Sequence, residues 1–267
     1  MADRFELPGA RALITGATGG LGGAIARGLK AKGAELVLTG RRADVLEPLA
    51  AELGATALVA DLADADDVDR LVAEAGRIDV LVLNAALPGS GAILDYTPEQ
   101  IESAVRVNLI TPALMARRFA GEMLTRGRGH IVFIGSLSGK AVTPGTGVYS
   151  MTKFGVRGFA HGLRQDLHGT GVGVSIVQPG FVRDAGMFAN TGLEPPAGAG
   201  TTTPEKVVKA VVSAIRKDRA EVNVAPVQLR AASQLAGAAP GFSAAVARKI
   251  GSEEHAAEFA ERQKHLR

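Results

Sequence analysis

The sequence predicts one α/β domain with a doubly wound parallel sheet and helices on both faces. Three observations carry that prediction. Seven apolar runs of strand length alternate with helical patterns, a glycine-rich turn separates the first run from the first helix, and the polar residues best suited to chemistry fall where runs end. In such a domain the ligand crevice lies outside the carboxyl ends of the strands. At 267 residues, with 46% hydrophobic and 21% charged side chains, the chain is long enough to bury a sizeable core without staples.

The first strand, 12–15, runs into Thr15-Gly16-Ala17-Thr18-Gly19-Gly20-Leu21-Gly22, and the first helix is expected over 20–32. Glycine permits a tight turn and lets backbone approach a pyrophosphate, whose charge the helix N-terminus stabilises. Gly16, Thr18, Gly20, Leu21 and Gly22 are therefore candidate cofactor residues. The spacing is not the commoner G-x-G-x-x-G fingerprint, and a glycine-rich turn without phosphate is the competing reading. The second strand, 35–39, ends at Thr39-Gly40-Arg41-Arg42 before a helix at 44–53. A dinucleotide fold usually places an acid there for the ribose hydroxyls. Its replacement by Arg41 and Arg42 suits a 2′-phosphate and favours NADP(H) over NAD(H); a solvated turn is the alternative, better suited to Arg42 than to Arg41.

The third strand, 56–60, is followed by Asp61-Leu62, a carboxylate and a backbone amide where an adenine would lie, and then by a helix at 66–75. The fourth, 80–84, closes on Asn84-Ala85-Ala86, whose small side chains let a cofactor pass close to the backbone. Thr97-Pro98-Glu99 opens a helix over 98–124, with threonine as N-cap, proline at the first helical position and an acid in the first turn; Pro112 should kink or divide it. The fifth strand, 130–135, ends at Ser136 and leads to a helix at 148–168. The sixth, 173–178, ends at Pro179-Gly180. The loop 181–203 is rich in Gly, Pro and Thr and has the length of a functional lid. Thr203-Pro204-Glu205 repeats the helix-start signal for 204–218, and the seventh strand is 221–225.

Composition excludes several classes of function. Without cysteine there are no disulfides, thiolate metal sites or cysteine nucleophiles, and His130, His161 and His168 have no ligand partner at metal spacing. The net charge of +3 is scattered and aromatics reach only 4%, so no nucleic-acid platform is expected. Residues 1–11 lack a signal-peptide core, and no apolar run approaches the ~20 residues of a membrane span, which points to a cytoplasmic protein.

Tyr149 and Lys153 stand four residues apart, one helical turn, so both project from one face. A free phenol, with a pKa of about 10, is a poor proton carrier at neutrality. The Lys153 charge favours phenolate and is expected to bring Tyr149 toward the working range of acid–base catalysts. Ser136, thirteen positions before the tyrosine, supplies a hydroxyl to polarise a carbonyl.

Together these pieces resemble the short-chain dehydrogenase/reductase family: TGATGGLG at 15–22, DL at 61–62, NAA at 84–86, VNL at 107–109, IGS at 134–136, YSMTK at 149–153 and PG at 179–180, in the family's order. The resemblance implies a Rossmann-type fold and a catalytic tetrad. Asn108 would hold a water near the lysine, Ser136 would bond the substrate oxygen, Tyr149 would exchange the proton, and Lys153 would hold the nicotinamide ribose and lower the tyrosine pKa. It also places Pro179, Gly180 and Val182 against the cofactor. Two departures stand out. Ala86 replaces the usual glycine, and Asp184 stands near where a threonine commonly meets the nicotinamide carboxamide.

Phe181, Val182, Met187, Phe188 and Leu193 make the lid apolar and favour a lipophilic ketone or secondary alcohol as the small-molecule substrate. The reading divides the chain into a catalytic part, 1–226, and a helical extension, 227–267. In the extension, Phe242, Val246 and Ile250 form an apolar stripe that could pack on the body, the lid or another subunit, or touch a membrane surface. The family commonly assembles through its fourth and fifth helices, which implies a homodimer or homotetramer. The rival to an oxidoreductase is a catalytically silent dinucleotide-sensing or scaffold protein; such relatives typically lack the tyrosine or the lysine, and this chain keeps both.

Overall fold

Seven strands pair in parallel to form one sheet in the order β3-β2-β1-β4-β5-β6-β7. They are β1 (Arg11–Thr15), β2 (Glu35–Gly40), β3 (Thr56–Val59), β4 (Val80–Leu83), β5 (Gly129–Ile134), β6 (Val172–Pro179) and β7 (Glu221–Val224). The computed structural model describes residues 5–196, 198–241 and 252–264 of the protein. Each expected strand is present, with ends moved by a residue or two. The order reverses between β1 and β4, which opens a crevice at their carboxyl ends.

Alternation along each strand divides the core. Ile14, Leu38, Val82 and Val177 face α1 (Gly20–Lys30), α2 (Ala43–Leu53) and α7 (Pro204–Lys217) on one side. Leu13, Leu81, Phe133 and Ile176 face α3 (Ala65–Ala75), α5 (Thr111–Arg126) and α6 (Gly147–Asp166) on the other. Strands buried on both faces read as continuous apolar runs, which is why the sequence exposed them. At Gly28 of α1 a Cβ would fall 2.2 Å from Val208 Cγ1, so a glycine is what lets α1 and α7 pack so closely.

The expected fourth helix is divided, as Pro112 requires. α4 (Pro98–Val105) begins with Thr97 and Gln100 in a reciprocal capping box and passes into a wide π turn, Arg106–Ile110. Pro112 then occupies the first turn of α5, directly after the widened turn. Asn108 lies in the widened turn. Thr203 caps α7 by accepting from Lys206 N.

Beyond β7 the chain forms α8 (Val227–Ala238) and α9 (Ser252–Gln263), which the sequence signalled only as an alanine-rich helical extension. The expected stripe of Phe242, Val246 and Ile250 lies outside the described residues. Among the described residues no helix is long and apolar enough to cross a membrane. The lid is closed at its stem: Val182 bridges Thr202, and Arg183 N donates to Thr202 O at 3.0 Å.

One core residue gives the fold an acid limit. His130 is buried on β5 with Nε2 2.9 Å from Ser175 Oγ, and burial pushes its pKa down from 6.5 to about 4. The unfolded chain therefore binds this proton first. Stability should fall as pH drops from 6.5 toward 4, by on the order of 3 kcal/mol from this group. Urea unfolding across that window should show the loss, and His130→Gln should flatten it.

Candidate active site

Ser136 ends β5 and Tyr149 opens α6, and the Tyr149 phenol hydrogen-bonds with the Ser136 side chain. Ser136 Oγ also accepts from Ser138 N at 3.1 Å, so the rival Ser138 contributes its backbone to the turn that aims Ser136. Lys153 lies one turn along, 4% exposed, with Nζ 5.5 Å from the Tyr149 ring centroid and donating to Ile134 O at 3.1 Å. The two side chains therefore converge at the carboxyl end of β5.

Their electrostatics differ from the expectation. Burial pushes the Tyr149 phenol up to about 12, against the opposing hydrogen bond from Ser136, and burial pulls Lys153 down to about 8. The expected depression of the tyrosine is thus corrected. Desolvation penalises the phenolate, and the hydrogen bond from Ser136 only partly offsets that penalty. Tyr149 stands in the site as a neutral acid.

Asn108 is 2% exposed and its side chain is fully engaged: Oδ1 accepts from Leu87 N at 2.7 Å, and Nδ2 donates to Leu87 O at 2.9 Å and Thr152 Oγ1 at 3.4 Å. Thr152 Oγ1 in turn donates to Tyr149 O at 2.8 Å. This amide joins the loop after β4 to the turn carrying Tyr149. The same loop touches α6 directly. A Cβ at Gly89 would fall 2.8 Å from Tyr149 N and 2.9 Å from its Cα, so glycine is needed there.

The glycine turn lies across the crevice. Gly19 caps α1 without a side-chain hydrogen bond, no acid stands in the first turn, and Gly19 and Gly20 are exposed. Bare amides and a positive helix end suit a pyrophosphate. At Gly22 a Cβ would strike Gly16 O at 2.2 Å, and Gly16, at φ +65°, holds a left-handed conformation against Ala85. Thr15 was not singled out by sequence. Its Oγ1 accepts from Asn84 N and Ala85 N, each at 3.0 Å, while Asn84 Nδ2 donates to Thr15 O at 3.0 Å. β1 and β4 are thus locked together at the switch point.

Arg41 stands 62% exposed at the end of β2, with Nη1 4.0 Å from Asp61 Oδ2, and Arg42 donates to Thr18 O at 2.6 Å. Arg42 therefore braces the glycine turn and Arg41 presents its charge outward. Asp61 Oδ1 accepts from Ala63 N at 3.0 Å, and Leu62 buries its side chain while its carbonyl accepts from Thr111 Oγ1 at 2.8 Å. At the opposite rim, Gly180 N donates to Val224 O at 3.0 Å and anchors the Pro179-Gly180 corner. Val182 is buried in the core, so its side chain serves packing. Asp184 adopts φ +68°, pairs with Arg183 Nε at 3.2 Å and turns the lid so that Ala185 and Gly186 lie against Gly20.

A four-residue charge cluster lies behind the site. Glu221 on β7 receives buried Lys140 on Oε1, and Arg157 Nε at 2.8 Å and His161 Nε2 at 2.9 Å on Oε2. Burial opposes the charged carboxyl, but the hydrogen bonds from Lys140, Arg157 and His161 outweigh it and bring its pKa from 4.5 to about 2. Lys140 follows the Ser136 turn, and Arg157 and His161 are on α6.

The protein-family model described as short chain dehydrogenase matches residues 10–195. The ketoacyl reductase HetN of Nostoc sp. is 37% identical over 227 residues, 82% of this chain and 79% of that protein. Nodulation protein G of Rhizobium meliloti is 36% identical over 187 residues, covering 68% of this chain and 76% of that one. Among solved structures, a short-chain dehydrogenase from Sphingobium yanoikuyae in complex with NADPH superposes with a TM-score of 0.76 at 29% identity, over 87% of this chain and 94% of its own.

Proposed function

The chain belongs to the short chain dehydrogenase family, and from that premise we propose that it is an NADP(H)-dependent oxidoreductase interconverting a lipophilic ketone and a secondary alcohol. The observation that carries this reading is the convergence of Ser136, Tyr149 and Lys153 at the carboxyl end of β5. The substrate oxygen would accept hydrogen bonds from Ser136 Oγ and the Tyr149 phenol. As negative charge builds on that oxygen, Tyr149 gives up its proton, leaving an alcohol and a phenolate. When bound, the reduced nicotinamide supplies the hydride. Lys153, fixed by Ile134 O, keeps further N–H donors for a ribose hydroxyl, and its charge stabilises the phenolate formed during turnover. Asn108 positions Tyr149 through Thr152.

Gly16, Thr18, Gly20, Leu21 and Gly22 would hold the pyrophosphate, Asp61 and Leu62 the adenine, and Asn84, Ala85, Pro179, Gly180 and Val182 the nicotinamide half. Arg41 would meet the 2′-phosphate with a solvent-facing guanidinium, while Arg42 supports the turn. The ketoacyl reduction named for the Nostoc relative accords with an apolar substrate. Exposed Ile110 and Leu114 beside α5 and Met151 and Phe154 on α6 support a homodimer or homotetramer through these helices.

Nicotinamide absorbance followed over a panel of ketones and alcohols tests the reading. Apolar ketones should be turned over with NADPH in preference to NADH, and Arg41→Ala should raise the KM for NADPH by about tenfold while leaving that for NADH in place. Preference for a polar hydroxy acid would overturn the substrate class, and an unaltered cofactor preference in the variant would overturn the role of Arg41.

A further inference from the structure

The lid carries an aromatic stack completed by the last helix. Phe181 and Phe188 have ring centroids 4.9 Å apart, and Phe188 lies nearly parallel to Phe259 of α9 at 6.1 Å. All three rings are half-buried. Two polar contacts reinforce the stack: Gln263 Nε2, in a residue 2% exposed, donates to Met187 O at 3.2 Å, and Arg262 Nη1 donates to Thr191 O at 3.3 Å. Arg262 is aligned by Glu258 one turn earlier, 3.3 Å away. The carbonyls so held flank the short turn Ala189–Thr191 at the centre of the lid. α9 lies beyond residues 10–195 matched by the family model, so this fastening belongs to the chain's own extension.

The stack begins next along the chain from the Pro179-Gly180 corner, which packs on Leu137 of the turn after Ser136. Phe181 follows Pro179-Gly180, and a Cβ at Gly180 would lie 3.0 Å from Leu229 Cδ2 and 3.4 Å from Leu137 Cδ1. Leu137 from β5's exit turn and Leu229 from α8 therefore meet at the corner from which the lid departs. We propose that α9 is part of the substrate lid and that Phe259 is a specificity-determining residue, completing with Phe188 and Phe181 an aromatic wall for an alkyl chain or ring attached to the reacting carbonyl.

The wall selects by shape and desolvation. A long apolar chain buries surface against the rings, whereas a short ketone reaches the catalytic groups without touching them. The lid cannot swing out without parting Phe188 from Phe259 and breaking the two bonds from α9, so the same helix governs opening. This proposal rests on the oxidoreductase reading above, and its test separates the two.

Full-length Phe259→Ala, Phe259→Leu and Gln263→Ala proteins would be compared by hydrogen exchange of the lid peptide 186–193 and by kcat and KM with a long-chain and a short-chain methyl ketone. Phe259→Ala should reduce the preference in kcat/KM for the long ketone by roughly tenfold, mostly through KM, and Phe259→Leu should restore most of it. Lid exchange should accelerate in both alanine variants. Unchanged lid exchange overturns the clamp whatever the turnover, and unchanged chain-length preference overturns the wall. If neither ketone is turned over by the unmutated protein, the oxidoreductase reading fails, while the exchange data still decide whether α9 holds the lid.

Discussion

Tyr149→Phe is expected to lower carbonyl reduction by about 10²- to 10⁴-fold while leaving NADPH binding in place, because the substitution removes one oxygen and no packing surface. A half-buried phenol bonded to Ser136, with its pKa pushed up to about 12, is protonated throughout the neutral range. It therefore offers the proton that an alkoxide needs. With phenylalanine the Ser136 hydroxyl remains, an uncharged group that can polarise a carbonyl but is a weaker acid. The loss should appear in kcat, since the proton moves only in the transition state. Steady-state turnover paired with a cofactor-fluorescence titration separates the two quantities. Retained turnover would remove Tyr149 from the proton path, and a lost cofactor complex would show a binding role instead.

Glu221→Gln should destabilise the fold by about 3 kcal/mol or more, the cost of leaving a buried cation without its counter-charge. Lys140 is 3% exposed and faces Glu221, whose carboxylate also receives Arg157 and His161. An amide at this place keeps the volume and removes the charge. Because the folded pKa, about 2, lies below the ordinary 4.5, this contribution is complete above 4.5 and is lost as pH falls toward 2. Chemical unfolding of the variant at neutral pH should show the full loss, and the gap from the unmutated protein should close in strong acid. The cluster ties the segment following Ser136 to α6, so turnover should fall as well. A variant of unchanged stability would mean that Lys140 finds other compensation.

What the sequence could disclose follows the range over which each interaction acts. Strands buried on both faces leave continuous apolar runs, and Thr97-Pro98-Glu99 and Thr203-Pro204-Glu205 are local signals that the structure repeats as caps. Tyr149 and Lys153 were legible because one helical turn fixes their common face. Gly16, Gly20 and Gly22 were legible because a strand-to-helix turn with close backbone contacts has few other solutions. Pro112 announced a division of the fourth helix, but not that a π turn would widen it and place Asn108 against Leu87.

Tertiary proximity was hidden. Lys140, Arg157, His161 and Glu221 are spread over three elements, and nothing local links them. No local signal marks Gly89 as the glycine pressed against the Tyr149 backbone. The meeting of Phe188 with Phe259 requires the chain to return across the lid from beyond α8. The direction of the Tyr149 shift was hidden for a related reason: spacing places the lysine, whereas desolvation of the phenol depends on every element packed around it.

The central claim is that Tyr149 stands in this pocket as a neutral acid, and the protein has only two tyrosines, so its ionisation can be watched directly. Carbon NMR of ring-labelled tyrosine, assigned with Tyr149→Phe, would follow the phenol of the cofactor-free protein across pH. A Tyr149 resonance that stays unshifted well past the ordinary phenol pKa of about 10 is the predicted result. A titration midpoint near neutrality would contradict the account.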